Sequence, residues 1–284
     1  MNKSLSKSSS IHTGKVITYI ILIVCALICI VPFLWMVSTS FKTNAEAYTF
    51  PPSIIPKHFE FDNFINGWQE ADFLTYTKNT VFVTLLCTLG TVVSSAFVAY
   101  GFATFKAKGS KVLFVLLMST MMLPAQVTLI PQYLMFSKLN MVDTYLPMII
   151  PCWLGGGAFN IFLFYQFFRS LPKELNEAAM IDGANSFQTF VKITLPSVKP
   201  VAMAVSIMSL VWNWNDFYTP LIYINSSQKF TLSVGLQLLN STQGNTKVSL
   251  MMAVAVLTMI PVLIIFFVFQ KYFVEGIKIS GMKA

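Results

Sequence analysis

The sequence predicts an all-α, polytopic membrane protein with six transmembrane helices. Three observations predict it. Of 284 residues, 55% are hydrophobic and only 11% charged, whereas a soluble domain carries about 25% charged residues. The charges are also segregated. Six stretches between charged residues contain 23 to 29 positions each, broken once, by Asp216, and about 20 apolar residues suffice for a helix to cross a bilayer. Finally, the alternating ten-residue pattern of a membrane barrel is absent.

The elements follow in order. Residues 1–15 form a polar, serine-rich tail, "MNKSLSKSSS", whose composition predicts disorder. The first span is 16–41. Its apolar run is too long for a signal-peptide core, and no small-x-small cleavage site follows "VPFLWMVSTSFK". Residues 42–76 then carry "FPPSIIPKHFEFDNF", three prolines among aromatics and acids, which reads as an ordered loop rather than a linker. The second span holds Ser95, Ala99 and Ala103 at intervals of four, a small-residue face on which another backbone can approach closely. The third span falls between Lys111 and Lys138. The fourth falls between Asp143 and Arg169 and contains "GGGAFN" at 155–160. Around Gly156 the glycines either pack tightly or break the helix and open backbone groups to a cavity. The fifth lies between Lys199 and Lys229. The polar loop "LNSTQGNTK" at 239–247 leads to the sixth, with Ala253 and Leu257 on one stripe.

Orientation comes from lysine and arginine. Thirteen of the nineteen lie in the two tails and in the segments 106–111 and 169–199, which places both termini in the cytoplasm. The net charge of +8 is thus mainly a topology signal, and no nucleic-acid partner follows from it. Cys25, Cys29, Cys87 and Cys152 all sit in apolar stretches and read as small buried hydrophobes. His12 and His58 form no ligand set, so no metal and no cofactor are expected, and no catalytic residues.

Two polar features stand out. The first is Asp216, the only charge within a span, in "WNWNDFYTP" with Trp212, Asn213, Trp214, Asn215 and Tyr218. Such a residue either lines a substrate pathway or hydrogen-bonds backbone groups loosened near Pro220. The second is the cytoplasmic segment 170–198. Ser170 can cap a helix, Pro172 suits a first turn, and Lys173 to Asp182 are helix formers with Leu175, Ala178 and Ala179 on one face. Gly183 ends this helix. Asn185 or Ser186 starts a second, with Phe187, Phe190 and Val191 as its apolar stripe and Pro196 at its end. One reading is an amphipathic linker on the membrane surface. Against it, surface helices prefer a basic polar face, and this one presents Glu174, Glu177 and Asp182.

"EAAMIDGA" at 177–184 followed by "ITLP" at 193–196 resembles the EAA loop of ABC importer permeases. "VPFLWMVSTSFK", "FPPSIIP" and "WNDFYTPLIY" are similar to the carbohydrate branch, to the smaller maltose-type permease subunit. The resemblance covers nearly the whole chain. It implies a type I (MetI-like) architecture, with 77–271 as the permease domain and 272–284 as a cytoplasmic tail. It implies a sugar or oligosaccharide permease of the bacterial cytoplasmic membrane, driven by ATP hydrolysis in a separate subunit. Its partners would be a second homologous permease, two ATP-binding subunits, an extracytoplasmic solute-binding protein that loop 239–247 reaches, the sugar and the lipid bilayer. Glu177, Ala178, Ala179, Asp182 and Gly183 would dock the ATPase; Asp216, Asn215, Trp214, Tyr218 and Gly156 are the candidates for the substrate path. Permeases for other solutes such as glycerol phosphate remain an alternative. A nucleotide-binding GxxxxGK[ST] motif is absent from the chain. An intramembrane enzyme would need more groups than Asp216, and a secondary transporter would need coupling carboxylates and repeated halves.

Overall fold

The computed structural model describes residues 6–70, 72–172, 174–241 and 247–281. The polar loop 239–247 therefore falls partly outside the described residues, as does Lys173. Among the described residues the structure is helical, with no strand. The chain divides into two compact units, residues 1–71 with 238–258, and residues 72–237 with 259–284.

In the first unit, α1 (Ser6–Ser40) begins inside the serine-rich stretch expected to be disordered, because the helix of the span propagates backward. It is apolar all round, and the span Gly14–Ser40 buries none of its most apolar window. Cys25 and Cys29 are consequently exposed rather than buried. After α1 the chain folds back on itself. Lys42 is buried, its ammonium 2.5 Å from the Ser53 carbonyl and 4.3 Å from the Trp35 ring centroid. The Asn63 amide donates to the carbonyls of Ser40 and Lys42, both at 2.9 Å. Glu46, in the short α2 (Asn44–Ala47), accepts from the Lys57 N–H and the Ser53 hydroxyl, both at 3.0 Å. Phe41 packs among Phe59, Phe61 and Phe64. Thus 42–62 is cross-tied rather than extended. α3 (Asp62–Glu70) brings Gly67 against Leu250 and Val254, with no room for a Cβ.

In the second unit the central element is α4 (Phe73–Thr104). Ser95 and Ala99 are fully buried, and Ala99 and Tyr100 of α4 pack in one cluster with Ile161, Phe164, Phe168, Phe190, Val201 and Val205. The small-residue face is where other helices close on α4, since short side chains let backbones approach. α5 (Ser110–Ser119) continues as a tight turn to Met122. The chain then bends by 104° into α6 (Ala125–Lys138). The bend falls at Pro124, and Leu123 before it is extended, as a residue preceding proline must be. α7 (Leu146–Trp153) and α8 (Ala158–Ser170) form the fourth span, interrupted at the glycines. The polar segment follows with α9 (Glu174–Ile181), α10 (Ser186–Thr189), one π turn and α11 (Leu195–Ser197). A 79° bend leads into α12 (Lys199–Trp214). The helix stops at Trp214 and restarts as α13 (Tyr218–Tyr223), so the fifth span is broken. α14 (Leu232–Ser241) precedes α15 (Val248–Gly281). Among the described residues, four helices are long and apolar enough to cross a membrane, and up to six if each of the two bent pairs counts as one span.

Candidate functional site

Two regions of the second unit bring the polar residues together. The first is the segment after α8. The Ser170 hydroxyl does not cap the next helix; it donates back to the Phe167 carbonyl at 2.7 Å and finishes α8. α9 carries Glu174 and Glu177 in its first turn, where carboxylates oppose the positive end of the helix dipole. Its C-terminus closes by two bonds, Asp182 N–H to Ala178 O at 3.0 Å and Ala184 N–H to Ala179 O at 2.9 Å. The second bond requires a left-handed residue between, and Gly183 supplies it at φ 78°. Asn185 starts α10 with a reciprocal capping box. Its side chain accepts from Gln188 N–H at 2.9 Å, and the Gln188 side chain accepts from Asn185 N–H at 3.0 Å.

Pro196 does not end this helix. The chain passes through a π turn at Phe190–Thr194, and Pro196 falls in the first turn of α11, where its missing N–H costs nothing. Only part of the expected apolar stripe is buried. Phe190 packs against Tyr100 with centroids 4.9 Å apart and edge-on against Phe97, and the Tyr100 hydroxyl donates to the Ser186 carbonyl at 3.3 Å. Phe187 is 65% exposed and Val191 is exposed too. On α9, Ala179 is buried, while Leu175, Glu177, Ala178, Ile181, Asp182 and Gly183 are exposed. The result is a fixed pair of short helices, held from below by Phe190 and Ala179. It presents carboxylates beside bare apolar side chains.

The second region is a cavity of about 720 Å³ among α4, α6, α7, α8, α12 and α13. The glycines build one wall. Gly155, Gly156 and Gly157 all have positive φ, at 122°, 65° and 90°. At Gly156 a Cβ would sit 2.6 Å from the Thr91 carbonyl oxygen of α4, so the broken helix also packs closely. The break and the packing are therefore both present. Asn160 donates to the Gly156 carbonyl at 2.7 Å, and the Ser94 hydroxyl to the Cys152 carbonyl at 2.8 Å.

Asp216 sits in the gap between α12 and α13. One carboxylate oxygen accepts the Thr219 N–H at 3.2 Å, and its carbonyl accepts the Ser233 hydroxyl at 2.5 Å. It satisfies loosened backbone and lines the cavity as well. Of the five sequence candidates, Gly156 and Asp216 are in the lining. Asn215 bonds back to the Val211 carbonyl, Trp214 is buried, and Tyr218 is 70% exposed. The cavity instead takes Gln132, Asn160, Trp212 and Asn213. Trp212 and Asn213 stand in the "WNWND" run already marked by Asp216, and Asn160 lies one helical turn beyond Gly156, a spacing that points to it.

A third cluster lies away from both regions. Asp143 accepts from the backbone of Asn225 and Ser226 at 3.0 and 2.9 Å, from the Ser226 hydroxyl at 2.5 Å, and from Lys229 at 3.0 Å. Lys229 also donates to the Asp143 carbonyl at 2.6 Å. This clasp joins the start of the fourth span to the end of the fifth. No local signal marks it, since its partners are more than 80 positions apart.

Residues 91–279, running from α4 to α15 through both polar regions, match the family of binding-protein-dependent transport system inner membrane components. The chain belongs to this family. The permease is 33% identical over 261 residues to the arabinooligosaccharides transport system permease protein AraQ of Halalkalibacterium halodurans, covering 91% of this chain and 92% of AraQ. It is 30% identical over 265 residues to the diacetylchitobiose uptake system permease protein NgcG of Streptomyces coelicolor, covering 93% and 87%. It is likewise 30% identical to the trehalose/maltose transport system permease protein MalG of Thermococcus litoralis, covering 92% and 94%. Its fold is shared with a chain of a bacterial ABC transporter that imports the acidic polysaccharide alginate, at TM-score 0.82 and 23% identity, over 96% of this permease and 99% of that chain. The relatives are transport permeases, and the chain is a membrane-embedded permease of the same kind.

Proposed function

We propose that this permease carries a sugar or oligosaccharide across the bacterial cytoplasmic membrane, both termini inside, and that it is not itself an enzyme. The observation that carries the proposal is the likeness over nine-tenths of the chain to permeases named for arabinooligosaccharides, diacetylchitobiose and trehalose or maltose. Residues 77–271 form the permease domain, with 1–15 and 272–284 as cytoplasmic tails, 16–41 as the first span and 42–76 as an extracytoplasmic loop. It pairs with a second, homologous permease. The pair carries two ATP-binding subunits, one of which docks on the segment 170–198 of this chain, and an extracytoplasmic solute-binding protein delivers the sugar. The acidic and apolar exposure of α9 supports the docking role. Glu177 offers a carboxylate for a charge-assisted bond to a basic partner residue, and Ala178 and Gly183 leave room for close approach. A rigid pair of helices can pass subunit closure to the spans as a rigid-body movement.

The test is to purify the permease with its native partners and screen the co-purifying binding protein for thermal stabilisation by ligands. A ligand at a hundred times its Kd raises stability by about 2.7 kcal/mol. Stabilisation by a neutral mono- or oligosaccharide is expected. Stabilisation by glycerol phosphate alone would replace the sugar reading.

A further inference from the structure

We propose that the cavity beside the broken fourth and fifth spans is a subsite for uncharged sugars, and that Asp216 makes it reject acidic ones. This deepens the sugar-permease reading and rests on it. The cavity's volume of about 720 Å³ lies within the range of about 300–1,000 Å³ that small-ligand sites occupy. Among the described residues of this chain, Asp216 is the only formally charged one in the lining, with no lysine, arginine or histidine beside it. Trp212, largely exposed, supplies an aromatic face against which the C–H side of a pyranose ring can stack, while Gln132 and Asn160 supply amides that pair with hydroxyls.

The carboxylate is held in place. One oxygen is committed to the Thr219 N–H and the Asp216 carbonyl to the Ser233 hydroxyl, so the side chain cannot swing out of the gap between α12 and α13 without losing its cap. The remaining lone pairs accept hydroxyl donors, which every neutral sugar brings. A uronate brings a second negative charge. Like charges about 6 Å apart, at an effective dielectric near 20, weaken binding by roughly a hundredfold. Selectivity here comes from a built-in repulsion rather than from an added contact.

The experiment uses the complete complex of both permeases and the ATPase subunits in nanodiscs, titrated at low ionic strength with maltotetraose, xylotetraose and tetragalacturonate while tryptophan fluorescence is followed. Trp212→Phe identifies the cavity's share of the signal. The neutral tetrasaccharides are expected to give a saturable, Trp212-dependent change, with tetragalacturonate weaker by at least about tenfold. Asp216→Asn keeps an oxygen for the Thr219 N–H and should close most of that gap; Asp216→Glu should preserve it. Equal or tighter binding of tetragalacturonate, an unchanged gap in Asp216→Asn, or no saturable change with any of the three would overturn the proposal. The ATPase rate of the same complex with its sugar-loaded binding protein separates the two levels. Stimulation by a sugar alongside a non-selective cavity sinks the subsite alone, whereas no stimulation by any sugar sinks the sugar reading with it.

Discussion

Gly155 and Gly156 are neighbours with positive φ, yet a side chain meets different surroundings at each. Around Gly155 a Cβ would find open space, while at Gly156 it would strike the Thr91 backbone oxygen at 2.6 Å. Gly155→Ala therefore meets only left-handed strain of about 1–2 kcal/mol. Gly156→Ala adds the separation of α8 from α4, for a total of roughly 2–4 kcal/mol. Thermal unfolding of the two variants in the same detergent should show the larger drop for Gly156→Ala; equal drops would mean that the close approach to α4 is not needed. Asp143 is set apart by electrostatics. Hydrogen bonds from the Ser226 side chain and backbone, then from Lys229 and Asn225, hold its carboxyl well below the usual carboxylate range. Its folded value is depressed, so its stabilising contribution is complete above the unfolded carboxylate value of about 4 and fades as the pH falls toward the folded one. Asp143→Asn should lower the unfolding temperature at neutral pH, and the difference from wild type should shrink once the pH is below about 4. A difference that does not change with pH would contradict the clasp.

At the scale of elements, helix identity was legible and helix paths were not. Charge-free gaps mark where apolar helices lie, because each buried charge is costly in a membrane. They carry no information on direction. The bend at Pro124, the stop at Trp214 and the turn between α11 and α12 all lie inside or beside apolar runs that hydropathy reads as continuous. The polar segment was more readable, because its stop and start use local chemistry: Gly183 in the left-handed conformation and Asn185 in a capping box. The misreadings were Ser170, whose hydroxyl finishes α8, and Pro196, which a π turn lets the helix pass. Exposure of Phe187 and Val191 was also illegible, since periodicity shows a stripe and not which neighbour covers it. The proposed docking role makes this element the place for charge reversal. Glu177 is exposed, so Glu177→Lys should leave folding and membrane insertion intact while reducing uptake by at least about tenfold, because a reversed charge repels the partner it once attracted. Quantifying the variant in membranes alongside transport checks this; normal uptake at normal expression would sink the docking role of Glu177.

For the whole molecule, the cavity and the paired helices lie on the same few elements. α8 carries the cavity wall at its start and leads into α9 at its end. α12 follows the paired helices and ends at Trp214, two residues before Asp216. Movement imposed on α9 and α10 would thus reach both cavity walls through the short connections to α8 and α12, which suits an externally driven permease. The cavity itself was only half legible in the sequence. Gly156 and Asp216 drew attention as anomalies in apolar runs, but Gln132 and Thr80 line the same space and look ordinary where they stand. The most direct measurement is sugar uptake into proteoliposomes containing the full transporter and its binding protein, with ATP supplied inside or with a proton gradient alone. Uptake is expected only with ATP. Sustained uptake on the proton gradient without ATP would contradict an ATP-driven permease.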